Sequence, residues 1–122
     1  MIKFVYCVRK LPSLSDEDFR DYWLNKHGPL VKSFAKTLKA KKYVQSHTID
    51  TPLNGIAREP RSSKKAYDGI TEVWWETHDD LMAVVQTPEG QQALGALVAD
   101  EARFCDLPNC SVFLTEEHTI FE

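Results

Sequence analysis

The stretch FRDYWLNKHGPL, from Phe19 to Leu30, decides how this 122-residue chain is organised. Large side chains recur in it at helical spacing and predict an amphipathic helix: Phe19, Tyr22, Trp23 and Lys26. The helix then meets His27, which directly precedes a Gly-Pro pair. Pro29 disfavours α geometry at the residue before it and suits the first turn of a new helix. We therefore expect a kink at His27 to Pro29 that turns the imidazole away from the helix, and a second helical piece that continues through Lys39.

The rest of the chain reads as strands and helices in a simple order. Runs rich in β-branched and aromatic residues predict four strands: Ile2–Arg9, Lys42–Ile49, Tyr67–Glu76 and Ser111–Phe121. Capping residues and apolar periodicity predict helices at about 16–26, 77–86 and 88–104. The order β-α-β-β-α-β predicts an α+β, ferredoxin-like fold, in which an antiparallel four-stranded sheet carries its helices on one face.

One segment has no convincing period. Asp50 to Lys65 is polar, contains Pro52, Gly55 and Pro60, and reads as a long loop. A loop of this length is unusual in a compact domain. It is interpreted either as the lid or rim of a pocket or as a tolerated insertion.

The sheet face away from the helices needs a cover. We expect large apolar and aromatic side chains on that face: Phe4, Tyr6, Tyr43, Ile70 and Trp74. So much apolar surface is too much to leave in water. Two such sheets packed face to face would bury it, which predicts a homodimer.

Composition and charge limit the possible functions. The length fits one domain over residues 1–122, and 43% hydrophobic with 27% charged residues is typical of a soluble globular protein. The net charge of −3 argues against a nucleic-acid partner. Five lysines do gather between Lys32 and Lys42, but a solvated helix face explains them at least as well as a phosphate site. No run is long and apolar enough for a membrane span and no signal peptide is visible, so we expect a cytoplasmic protein with no membrane partner.

The pattern F-x-x-Y-W-x-x-x-H-G-P-L resembles the signature of the EthD-like family, within the dimeric α+β barrel superfamily. Further stretches fit the family in the right order: KYVQSH at Lys42, YDGITEVWW at Tyr67, DEARFCD at Asp100 and TEEH at Thr115. The resemblance implies that two sheets close into a homodimeric barrel. It also implies a pocket for a small, often aromatic ligand, either between the two sheets or within each half next to its own helices. It also implies relatives in ether and aromatic catabolism and among decarboxylases, dehydratases or cyclases of polyketide pathways.

Three residues are candidates for catalysis. His27 leads, because imidazole exchanges protons near neutral pH; the alternative is a helix-end histidine that only holds the kink. His47 shares a strand face with Tyr43 and Gln45, where a buried polar group needs a partner. Glu72 lies between Ile70 and Trp74, where burial would favour its protonated form; pairing with His47 or His27 as a structural link is the alternative.

The predicted function is cofactor-free acid/base chemistry of the decarboxylase, dehydratase, cyclase or isomerase type. His27 would be the general acid/base, and His47 and Glu72 would orient it or the substrate. The substrate would be a small hydrophobic, aromatic or polyketide-like molecule. Aromatic side chains would form the walls of its pocket or merely fill the barrel: Tyr6, Tyr43, Trp23 and Trp74. No metal or cofactor is expected, since hydrolase, zincin and nucleotide-binding motifs are lacking and the three cysteines have no C-x-x-C spacing. The alternatives are a non-catalytic accessory binding protein of a degradation pathway, or a haem-dependent or cofactor-free monooxygenase.

Overall fold

The computed structural model describes residues 1–122 and contains one four-stranded antiparallel sheet. Its strands are β1 (Ile2–Val8), β2 (Lys42–His47), β3 (Gly69–Trp75) and β4 (Ser111–Glu116), in the spatial order β2-β3-β1-β4. Strand β1 is central, as its apolar residues on both faces predict. The α+β, ferredoxin-like fold is confirmed, although β4 ends at Glu116 and leaves Phe121 outside the sheet.

The helices begin where the sequence places caps. Helix α1 (Asp16–Tyr22) starts after Ser15, whose Oγ accepts the Asp18 N–H at 3.1 Å. Helices α4 (His78–Gln86) and α5 (Pro88–Glu101) start after Thr77 and Thr87, whose hydroxyls accept the N–H groups of Asp80 and Gly90. None of the helices combines the length and the apolar character that crossing a membrane requires.

The expected kink at His27 is wrong. The chain stays helical through a π-turn (Trp23–His27) into α2 (Gly28–Ser33), and Gly28 has ordinary right-handed helical dihedrals. Pro29 has no N–H to donate to a preceding carbonyl, and the π-turn accommodates this because the Gly28 N–H bonds five residues back, to the Trp23 carbonyl. Regular α2 also ends earlier than predicted, and turns continue from there to Lys39.

The segment from Asp50 to Lys65 is not a plain loop. It contains α3 (Pro52–Arg58) followed by a 3-10 turn (Glu59–Arg61). Thr51 caps α3 and Pro52 opens it, a signal of the same kind as Thr87-Pro88 in α5. Helix α3 buries no residue, and its apolar residues Leu53 and Ile56 are 67% and 63% exposed. With only seven residues, it is too short to show a clear helical period.

Pairing of β1 with β3 corrects the predicted composition of the two sheet faces. Phe4 pairs with Val73 and Tyr6 with Thr71, so these residues share the face covered by helices. Ile70 and Trp74 alternate with them and point to the open face. The five apolar residues expected together on the open face are therefore divided: Phe4, Tyr6 and Tyr43 face the helices, and Ile70 and Trp74 do not.

Two apolar clusters form the core between the sheet and the helices. The first joins β1 to α1, the π-turn and the segment after α5: Tyr6, Val8, Phe19, Trp23, Phe104 and Cys105. The second joins α2, α4 and α5: Val31, Leu38, Val84, Ala93 and Leu97. Trp23, only 1% exposed, packs its ring against the start of β3 at Gly69.

Gly69→Ala is expected to lower the free energy of unfolding by about 1–3 kcal/mol, as overpacked cores do. A Cβ at this position would lie 2.5 Å from the Trp23 ring and 2.7 Å from the Ser46 carbonyl oxygen. Urea unfolding measures the change. Gly95→Ala in α5 is the matched control, because its Cβ meets nothing within 4 Å and alanine favours the helix by about 1 kcal/mol. A Gly69→Ala protein as stable as the wild type would contradict this packing.

Candidate functional site

A cavity of about 1240 Å³ opens between the sheet and the helices. Its walls come from α2, α4, α5 and all four strands, and most of the lining residues are hydrophobic. Polar side chains also line it: Tyr6, His27, Lys32, Lys41, Lys42, Tyr43, Gln45, Thr71 and Glu101. An apolar chamber with a small set of convergent polar groups is the usual form of a small-molecule site.

His27 is held in this cavity wall by a carboxylate from α5. Its Nδ1 lies 2.8 Å from Asp100 Oδ2, and the histidine is 4% exposed. The second Asp100 oxygen accepts the Tyr22 hydroxyl at 2.6 Å. Burial by itself would raise the pKa of Asp100, but the hydrogen bonds from Tyr22 and His27 together hold it below its usual value. Asp100 is therefore ionised at neutral pH.

The protonation state of His27 follows from its surroundings. Burial lowers the pKa of His27, and the hydrogen bond to Asp100 only partly offsets this, so the neutral ring predominates at pH 7. The ionised Asp100 can only accept, so the ring proton is on Nδ1. Nε2 is then left with a free lone pair, as a general base requires.

A second carboxyl group lies on the other side of the ring. Glu101 Oε2 is 4.0 Å from His27 Nε2, and the Glu101 side chain is 15% exposed. Burial raises the pKa of Glu101 to about 7; the nearby Tyr6 hydroxyl lowers it, while Cys110 and Asp100 raise it further. Near neutral pH this group is present both as an acid and as a base. Together with His27 it forms a pair of proton-transfer groups at one end of the cavity.

Two thiols lie at the same end. Cys105 and Cys110 both line the cavity, and all three cysteines of the chain are free thiols. Cys110 Sγ accepts a hydrogen bond from the Arg9 N–H at 3.3 Å. The Cys105 thiol, and to a smaller extent this bond, hold the pKa of Cys110 below the usual thiol value. No three His, Cys, Asp or Glu side chains converge as metal ligands would.

Of the predicted catalytic residues, only His27 lines the cavity. His47 stacks flat on the far side of Trp23, with ring centroids 4.3 Å apart, and its Nε2 bonds Gln45 Oε1 at 2.8 Å. Gln45 in turn donates to the Trp23 carbonyl and to the Tyr43 hydroxyl. His47 therefore braces the π-turn that carries His27 and does not face the cavity.

Glu72 lies on the opposite sheet face, which corrects both the prediction that it orients His27 or the substrate and the alternative that it pairs with His47 or His27. Its Oε2 accepts a hydrogen bond from Lys3 Nζ at 2.7 Å. Trp74 is on the same open face, beneath the ammonium groups of Lys3 and Lys42, and is not a cavity wall. The other predicted wall residues do line the cavity: Tyr6, Tyr43 and Trp23.

Asp100 and Glu101 were not among the predicted site residues, and both belong to the DEARFCD stretch that resembles the family. A signal for Glu101 was present. Leu94, Leu97, Val98 and Glu101 follow the i, i+3, i+4, i+7 spacing of one helical stripe, so Glu101 continues an apolar face that points at the core. A carboxylate on such a face needs a partner or a proton.

Comparison with known proteins agrees with this architecture. The EthD domain model matches residues 11–108. The chain belongs to the EthD family. Similar solved structures include an ethyl tert-butyl ether D (EthD) family protein from Bacillus halodurans, 18% identical with a TM-score of 0.65 over 97% of this chain and 99% of that one.

Two other solved structures show the same fold in more distant proteins. HapK from Hahella chejuensis is 9% identical with a TM-score of 0.62, covering 100% of this chain and 97% of that one. A dimeric protein of unknown function with a ferredoxin-like fold from Bacteroides fragilis is 9% identical with a TM-score of 0.60, covering 95% of each chain. A comparison with curated proteins found no match for this EthD family member.

Glu101→Gln is expected to remove a pH-dependent loss of stability. Between the ordinary carboxyl pKa of 4.5 and the folded value of about 7, only the unfolded state ionises Glu101, so wild-type stability falls as pH rises and levels off above 7. Between pH 4.5 and pH 7, the free energy of unfolding of the wild type should fall by roughly 3 kcal/mol at most relative to that of the variant. Urea unfolding from pH 4 to pH 8 measures the difference.

The matched control for the removal of one carboxylate is Glu76→Gln, at an exposed position. A stability difference between wild type and Glu101→Gln that stays constant from pH 4 to pH 8 would show that Glu101 is not buried as a proton-holding group.

Proposed function

We propose that this EthD-family protein binds a small hydrophobic, aromatic or polyketide-like molecule in the cavity, and that His27 transfers a proton to or from it without a cofactor. The observation that carries the proposal is the neutral His27, fixed by Asp100 through Nδ1, in the wall of a mainly apolar cavity. Decarboxylation, dehydration, cyclisation and isomerisation next to a carbonyl or phenol all need such a step.

The distances around His27 support a distinct role for each of the three groups. His27 Nε2 removes a proton from carbon or from a hydroxyl group, and Asp100 stabilises the imidazolium that forms, because it holds the ring in one orientation and supplies a negative charge. Glu101, in its protonated form, donates a hydrogen bond to the oxygen on which negative charge develops. The apolar walls exclude water and strengthen both effects.

The same cavity also fits an accessory protein that holds a pathway intermediate without converting it. His27 and Glu101 would then serve only as hydrogen-bonding partners of the ligand. Binding without turnover distinguishes this function from catalysis. A monooxygenase, the remaining alternative, would consume dioxygen.

A proton-transfer assay tests the proposal before the natural substrate is identified. The bicyclic aromatic ketone 2-tetralone exchanges the protons beside its carbonyl for deuterium in D₂O, and proton NMR follows the exchange. The wild type should accelerate it, and His27→Gln should reduce this acceleration by about 100-fold or more, as expected for loss of a general base. Binding of the ketone, followed by tryptophan fluorescence, should survive the substitution.

His118→Gln is the matched control, because it removes an exposed histidine near the C-terminus. Unchanged exchange in the His27→Gln protein would contradict the role of His27. Binding without accelerated exchange in the wild type would favour the accessory function. Dioxygen uptake in the same sample, followed with an oxygen electrode, would favour the monooxygenase.

We also propose that the protein is a homodimer formed through the open face of the sheet. This face carries Ile70 and Phe113, which are 38% and 49% exposed, beside Trp74. The dimeric Bacteroides fragilis protein of similar fold supports the proposal. Burial of such residues against a second copy would stabilise the pair by roughly 25 cal/mol for each Å² of apolar surface.

Ile70→Glu is expected to shift the protein toward monomers, because it places a carboxylate in the apolar part of the proposed interface. Sedimentation velocity measures the change. Ile56→Glu in α3 is the control, since it alters an equally apolar but 63% exposed residue away from the sheet. A wild-type protein that sediments as a monomer would contradict the dimer.

A further inference from the structure

The lysine-rich turn after α2 adjoins the cavity at the end away from His27. Lys36, Lys39 and Lys41 line a smaller depression of about 370 Å³, which we call the basic shelf. Ala35, Ala40 and Lys41 line both the shelf and the main cavity, so the two spaces adjoin each other. Lys41 therefore belongs to the walls of both spaces.

The charge of the shelf is not neutralised by the protein. No acidic residue occurs between Asp21 and Asp50, and none of the three shelf lysines forms an ion pair. Asp80, in the first turn of α4, is the one acidic residue that lines the shelf. The net charge there is positive, although the whole chain carries −3.

The backbone conformation of the turn is a second feature that sets the shelf apart. The turn closes with Ala40 N–H bonded to the Ala35 carbonyl and Lys39 N–H bonded to the Lys36 carbonyl, which is a Schellman helix end. Lys39 occupies its left-handed position, with φ of 55°, where glycine is the ordinary residue. A solvated helix face or a favourable helix dipole explains lysines in this turn, but neither explains a lysine at the strained position.

Strand β3 gives the distance between the two ends of the cavity. Trp75 lies at the shelf end, where its Nε1 donates to the Leu38 carbonyl and Lys41 N–H bonds the neighbouring Trp74 carbonyl. Thr71 lies at the other end, paired with Tyr6. The two residues are four positions apart in the strand, which corresponds to about 13 Å.

We propose that the ligand of this cavity is an amphipathic anion, with an apolar body in the chamber and a carboxylate or phosphate group on the basic shelf. This rests on the proposed function for the location of the ligand and adds its chemical class. The anionic group binds at the shelf and the part of the molecule that reacts lies about 13 Å away, beside His27 and Glu101. The lysines thus fix which end of the ligand meets the proton-transfer groups.

Two dyes with the same ring system test the inference. 8-Anilinonaphthalene-1-sulfonate carries one negative charge, and N-phenyl-1-naphthylamine is its uncharged counterpart; both fluoresce in apolar sites. The wild type should bind the sulfonate more tightly, and Lys36→Gln/Lys39→Gln/Lys41→Gln should weaken sulfonate binding about threefold to tenfold and leave the neutral dye unchanged. Raising the salt concentration should also weaken only the sulfonate.

The matched control removes three exposed lysines elsewhere, as Lys26→Gln/Lys64→Gln/Lys65→Gln, and should leave both affinities unchanged. The variant Lys39→Gly tests separately whether Lys39 has a role in binding. It should raise stability, because glycine relieves the left-handed strain, and at the same time weaken sulfonate binding. A purely structural role for Lys39 would change stability alone.

Competition identifies the anionic group. Decanoate, decyl phosphate and decanol, each below its micelle concentration, should displace the neutral dye, and the two anions should do so at lower concentration than the alcohol. The anion that displaces the dye at the lower concentration shows whether the shelf prefers a carboxylate or a phosphate group. Equal binding of both dyes, unaffected by the lysine substitutions, would overturn the inference and leave the cavity intact as a binding site. Binding of neither dye would overturn the inference and the proposed function together.

Discussion

The hydrogen bond between His27 Nδ1 and Asp100 Oδ2 is the contact on which the candidate site depends. It joins the helix-π-helix segment to α5 across the floor of the cavity, and it fixes both the tautomer and the orientation of the imidazole. Asp100 performs this role because Tyr22 satisfies its other oxygen and keeps it ionised. Without an ionised partner, a histidine this buried would have no fixed orientation in an apolar wall.

The local backbone is built to support that bond. The π-turn carries Trp23 and His27 on its inner side, and Gln45 binds the Trp23 carbonyl from β2. The His47 ring stacks on the Trp23 ring and holds it in place. Proline at position 29 makes the π-turn favourable, and π-turns inside helices are frequent at functional sites. The conformation of His27 is therefore maintained by several elements and not by the helix alone.

The two faces of the sheet have different tasks. The helix-side face contributes Tyr6, Tyr43 and Thr71 to the cavity, so it carries polar groups of the cavity wall. The open face carries Glu72, paired with Lys3, and exposed apolar residues such as Ile70. Because successive residues of a strand alternate between the two faces, a substitution on one face leaves the side chains of the other face unchanged. The basic shelf adds a third region, at the end of the cavity, without occupying either face.

The sequence by itself determined the order of the four strands and of the helices that pack on them, the caps of α1, α4 and α5, the fold class and the candidacy of His27. These depend on local periodicity and on short motifs. His47 lies on the predicted face with Tyr43 and Gln45, but the Trp23 ring stacks on it and keeps it out of the cavity wall. The sequence could not place Glu72 and Trp74, since alternation tells which residues of one strand share a face and not which face of the next strand they join. That choice is made by the pairing of Phe4 with Val73 and of Tyr43 with Val73. Only the tertiary structure brought Asp100 to His27, 73 residues away in the chain, because packing of α5 on the π-turn has no local signal.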